Sequence, residues 1–97
     1  MEEVGKHSAD QLALKEELDA HRAAIDELDA QLLELLNKRA THSLTIREIK
    51  AQLGLGLYDS AREAHIVEAL QAQSAGPLYG EHIAEIYSAL LQVMRGL

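Results

Sequence analysis

The sequence predicts an all-α fold of three helices, one very long and two short. Three observations carry that prediction. The apolar content is almost all Leu, Ile, Ala and Val, with no Phe, no Trp and three Tyr. Together with Glu, Gln and Lys, this composition favours helix. Gly and Pro are absent between Ser8 and Gly54, so nothing punctuates a helix across that span. No segment alternates apolar and polar residues as a half-buried strand would.

The elements follow in order. "HSADQLAL" offers Ser8 as an N-cap with Gln11 three residues on, a capping-box spacing. The first helix is expected from about residue 9 to about residue 52, which at 1.5 Å per residue is about 65 Å. Residues 1–8 would then be a flexible tail on a single domain spanning 1–97. "GLGLYD" is the first break, with Gly54 as a natural C′ residue. "SARE" opens the second helix with Ser60 as N-cap and Glu63 at N3, a second capping box, and Ile66, Val67 and Leu70 follow. "QSAGPLYGE" is the second break, with Gly76-Pro77 as the stop. The third helix is expected from about Glu81 to the end, with Ile83, Ile86, Tyr87, Leu90, Leu91 and Met94 on one side.

Composition narrows the function classes. There is no cysteine, so neither a disulfide frame nor a thiolate metal site is available. The formal net charge is −7. An acidic chain is a poor nucleic-acid binder, because that affinity rests on neutralising phosphates. It is an equally poor ligand for anionic membrane surfaces. No apolar run approaches the roughly 20 residues of a membrane span. "MEEVGKHSAD" is acidic without an apolar core, unlike a signal peptide. The expected location is the cytoplasm.

A helix of that length cannot be covered by two short ones from the same chain. Its apolar seam steps by three and four from Leu18 through His21, Ile25, Leu28, Leu32 and Leu35, then Arg39 and His42, then Ile46, Ile49 and Leu53. This is the spacing of helix–helix packing. A homodimer with intertwined long helices is therefore expected, in keeping with the prevalence of two-fold oligomers.

Arg39 and His42 interrupt that seam. A lone Arg there reads as a stem on the seam with its head in water. Lys50 changes the reading. It lies 11 residues on, three turns plus about 20°, so both side chains leave one face about 16 Å apart along the axis. Ile46 floors the same face. Arg22 lies 17 residues before Arg39, about 100° round the helix. It cannot easily join that pair within one subunit, but in a dimer of long helices it can reach the partner's site. Alone, it reads as a solvated residue. In "YDSARE", Asp59 suits a positive helix end and Glu63 suits the capping box, while Arg62 adds a further cation. His42 and His21 sit too far apart for one metal ion, and no metal site is expected. Together these residues read as a cationic notch for a small anion with two or more carboxylates, which arginines grip by paired bonds.

"LDAHRAAIDELDAQLLELLNKRA…IREIKA" followed by "YDSAREAHIVEAL" resembles the all-helical chorismate mutases over about residues 18 to 91. The pattern is an Arg in "RxxID", an Arg 17 residues on, a Lys 11 further, then "D-x-x-R-E". The resemblance implies three helices per chain in an intertwined dimer with two active sites. It implies Arg22 from the other subunit, Arg39 on a substrate carboxylate and Lys50 on the ether oxygen. Arg62 would be a further cation, and Asp59 and Glu63 would face the substrate hydroxyl region. Ile46 and Leu91 fall at apolar wall positions. The implied reaction converts chorismate to prephenate, a one-substrate pericyclic step of the phenylalanine and tyrosine pathway that needs no cofactor.

Three departures from the family pattern stand out. A helix-three Ser of the family falls on Met94, which takes that substrate-facing position. A Gln or Glu four residues later would fall one residue past Leu97. His42 and Arg47 stand where apolar and small residues are usual. The ending "LLQVMRGL" is similar to a shorter subclass activated by a partner synthase of the shikimate pathway, which implies such a partner here. The competing functions are an isochorismate pyruvate lyase or an amino-deoxychorismate mutase on the same fold, and a non-enzymatic helical dimer serving a pathway enzyme.

Overall fold

The computed structural model describes the backbone of residues 2–97 and the side chains from Ser8 onward. The chain forms α1 (Glu2–Leu53), α2 (Ser60–Gln73) and α3 (Gly80–Arg95). No strand occurs among the described residues. Two units divide it, Met1–Lys38 and Arg39–Leu97.

The start of α1 differs from the expectation. The helix already runs at Glu2, so Ser8 is an exposed residue of its interior and caps nothing. The expected tail over 1–8 falls mostly on residues whose side chains lie outside the described ones. The end of α1 is as expected. Gly54 takes φ +70°, a left-handed value that favours glycine. Its N–H donates to Ala51 O at 3.2 Å, and the Leu55 N–H donates to Lys50 O at 2.8 Å. These two bonds form a Schellman motif. They fix the helix end at the turn that carries Lys50.

The cap of α2 also differs. Asp59, not Ser60, is the N-cap, and its Oδ1 accepts from the Arg62 N–H at 3.0 Å. Both residue types cap well, and the carboxylate adds attraction to the positive helix end. Ser60 becomes the first helical residue, and the Glu63 N–H bonds to Asp59 O. The Glu63 side chain is thereby released from the expected capping box.

The α2–α3 connection is held by its own polar groups. The Ser74 hydroxyl donates to Leu78 O, and the Tyr79 hydroxyl donates to Ala75 O at 3.3 Å. Gly76 takes φ +87°. Tyr79 caps α3, its N–H donating to Nδ1 of His82 at 3.1 Å. Gln71 Nε2 donates to Gly80 O at 2.8 Å, tying α2 to the start of α3.

Within Arg39–Leu97 the core is small. Ile83 and Leu91 of α3 are the buried hydrophobic residues among those described. Ile66, Val67 and Leu70 of α2, with Tyr87, Leu90 and Met94 of α3, are half-buried around them. Ile86 departs from its expected side and is exposed. Within Met1–Lys38, Leu18, Ile25, Leu28, Leu32 and Leu35 are all exposed. At helical spacing they form one exposed apolar stripe.

Candidate active site

One face of α1 builds a wall. Arg39, His42, Ser43, Ile46, Arg47 and Lys50 recur at helical spacing, so their side chains form one stripe. Leu57 and Asp59 come from the following loop, and Arg62, Glu63 and Ile66 from the first two turns of α2. Leu91, Met94 and Arg95 close the space from α3. These residues line a cleft of about 320 Å³.

Five cations line it: Arg39, Arg47, Lys50, Arg62 and Arg95. The whole chain has nine Lys and Arg, so more than half converge on one cleft. Of sixteen Asp and Glu, the cleft has Asp59 and Glu63. An acidic chain thus presents a locally positive concavity, which attracts anions.

Fixed geometry supports several of these side chains. Arg39 Nη1 donates to Ser43 Oγ at 3.5 Å, one turn along the same face. Arg47 reaches the last turn of α3, with Nη2 donating to Arg95 O at 2.7 Å and Nη1 donating to Leu97 O. A cation at a helix C-terminus complements the exposed carbonyls there. Arg95 Nη1 pairs with Glu63 Oε1 at 3.1 Å, and its Cζ lies 4.9 Å from the Tyr58 ring centroid. Arg39, Lys50 and Glu63 are half-buried, whereas Asp59 and Arg62 stand at the exposed rim. Half-buried cations suit a site that must hold a charged ligand without isolating its own charges.

Eight of the nine residues singled out in the sequence line this cleft: Arg39, Ile46, Lys50, Asp59, Arg62, Glu63, Leu91 and Met94. Leu91 is buried as its floor, and Ile46 is exposed to it. The ninth, Arg22, is an exposed residue of the Met1–Lys38 unit. Sequence reasoning missed Arg95 altogether and noted Arg47 only as an unusual residue. Arg47's three-residue offset from Lys50 was the available signal. Nothing local marked Arg95.

Residues 21–97 match the family model for chorismate mutase type II. The chain belongs to that family. It is 38% identical over 79 residues to a bifunctional chorismate mutase/prephenate dehydratase of Neisseria gonorrhoeae, covering 80% of this chain and 21% of that protein. It is 33% identical over 85 residues to the protein so described from Pseudomonas aeruginosa, covering 82% of this chain and 23% of that one. The chain thus corresponds to about a fifth of these relatives' length. Among solved structures it is similar to chorismate mutase of Thermus thermophilus in two forms. Form II gives a TM-score of 0.81 at 28% identity, covering 82% of this chain and 91% of that one. Form I gives 0.78 at 27%, covering 79% and 96%.

Proposed function

We propose that this chain is a chorismate mutase, an isomerase converting chorismate to prephenate, and that it works as a homodimer in the cytoplasm. The observation that carries the proposal is the convergence of five of the nine cations on one cleft in a chain of this family. Chorismate is a dicarboxylate. Arg39 and Arg62 grip its carboxylates, where planar guanidinium geometry gives paired bonds. Ile46, Leu91 and Met94 supply the apolar walls that keep it folded, with the bond-forming carbons near attack distance. As the ether C–O bond breaks, its oxygen gains negative charge. Lys50 faces that oxygen and stabilises the developing charge more than the ground state. Asp59 and Glu63 accept from the substrate hydroxyl. The step is unimolecular and pericyclic, so shape and charge supply the catalysis.

The exposed seam of Met1–Lys38 supports the dimer, with Leu28 60% and Leu32 53% exposed. A second copy that covers it would bring its own Arg22 to this cleft. No helix among the described residues is long and apolar enough to cross a membrane. The relatives' names attach a prephenate dehydratase to the same segment, so a prephenate-consuming enzyme is the natural next partner. A shikimate-pathway synthase, which the tail implies, is the other.

The test is chorismate consumption by the purified protein, with the product identified and Arg39→Ala run beside it. Prephenate formation, lost in the variant, supports the proposal. Release of pyruvate would assign the lyase reaction instead. No turnover by the folded protein would leave a binding role.

A further inference from the structure

We propose that Arg95 is a positioning residue of this cleft: it neutralises and orients the Glu63 carboxylate so that a dianion can lie beside it. The inference rests on the reading of the cleft as a chorismate site. It begins from a charge conflict. A wall carboxylate that accepts from the substrate hydroxyl also repels the carboxylates of the dianion unless its own charge is balanced. Asp59 is engaged at the cap of α2, where Oδ1 accepts from the Arg62 N–H. Glu63 has no such duty, because the cap lies one residue earlier than the sequence suggests.

Arg95 resolves the conflict. Its Nη1 lies 3.1 Å from Glu63 Oε1, and its guanidinium stands over the Tyr58 ring at 4.9 Å, a cation–π distance. Its backbone is held as well, since Arg47 Nη2 donates to Arg95 O at 2.7 Å. The side chain is therefore fixed by Glu63, by Tyr58 and through the main chain by α1. A guanidinium held by a carboxylate and a ring, on a backbone that is itself held, is preorganised, so little of its freedom is lost when a ligand arrives.

The pair stands at the mouth of the cleft, with the Arg95 side chain 43% and the Glu63 side chain 22% exposed. Solvent screening keeps its contribution to folding small. Its effect falls on the ligand instead. The carboxylates of the substrate carry the same charge before and during the rearrangement, so Arg95 favours the ground state and the transition state alike. Uniform binding of this kind appears in KM and not in kcat. Lys50 acts on charge that develops only in the transition state, so the two residues separate kinetically.

The experiment is steady-state chorismate kinetics with thermal melts on the wild type, Arg95→Gln, Arg95→Lys, Glu63→Gln and the double variant Arg95→Gln/Glu63→Gln. Arg95→Gln is expected to raise KM about three- to tenfold with kcat within about twofold. Arg95→Lys should recover part of the loss, and Arg95→Gln should cost less when Glu63 is already Gln. An unchanged KM overturns the inference. So does a joint fall of kcat and melting temperature, which would mark a structural role, and so do effects that simply multiply in the double variant. A wild type that consumes no chorismate, while the two residues couple in the melts, overturns the chorismate reading and leaves only a surface ion pair.

Discussion

Asp59 and Arg62 are joined through side chain and backbone: Asp59 Oδ1 accepts from the Arg62 N–H at 3.0 Å, while both side chains line the cleft. One carboxylate therefore starts α2 and sets the rim on which Arg62 stands. Asp59→Ala is expected to lower stability by about 1 kcal/mol, the typical loss of an N-cap. Asp59→Asn should keep the melting temperature close to wild type, because Asn caps about as well. Thermal denaturation of the two variants checks this, and equal losses in both would show that charge, not capping, matters at this position.

Much of this arrangement was legible in the sequence. The helix breaks at Gly54 and Gly76-Pro77 and the face shared by Arg39 and Lys50 follow from local chemistry and helical spacing. Two cap positions did not. Ser60 and Asp59 are adjacent and both competent, so only the backbone shows which is used. Ser8 was a plausible start, but Glu2, Glu3 and Lys6 favour helix and no Pro intervenes, and the helix runs back to Glu2. Arg95 was illegible for a different reason. It meets Glu63 across 32 residues of chain and is steadied by Arg47 across 48. No periodicity reports a contact made only when α3 docks.

The Schellman turn at the end of α1 gives a second prediction. Gly54 sits at φ +70° with nothing within 4 Å of an added Cβ, so a substitution there meets only backbone strain. Gly54→Ala is expected to cost about 1 kcal/mol from the left-handed conformation alone. Gly54→Asn should cost less, because Asn tolerates that region. The Leu55 N–H bond to Lys50 O depends on this turn. Thermal melts of both variants check the ranking, and a neutral Gly54→Ala would mean that the turn relaxes without strain.

Lys50 is the residue on which the proposed chemistry depends most. Lys50→Gln keeps a polar side chain of similar reach but removes the charge that meets the ether oxygen. The expected loss is about 3–4 kcal/mol of transition-state stabilisation, roughly a hundredfold or more in kcat. KM should change much less, since the developing charge is absent from the ground state. Single-turnover and steady-state rates on chorismate check this. A large KM effect with kcat intact would reassign Lys50 to holding a carboxylate.

The proposed dimer makes the sharpest prediction. If each cleft combines Arg39 of one copy with Arg22 of the other, Arg22→Ala and Arg39→Ala should each be nearly inactive alone. Unfolding and refolding them together at equal concentration produces heterodimers as about half of the population, as expected for a two-fold assembly. In a heterodimer both losses fall in the same cleft, and the second cleft is complete. The mixture should therefore recover about a quarter of the wild-type activity. Mixing without exchange should recover none. Recovery in the refolded mixture establishes that Arg22 acts across the interface. Its absence, with heterodimers verified by mass spectrometry, would return Arg22 to a solvated surface role and require the cleft to work with the cations of one chain.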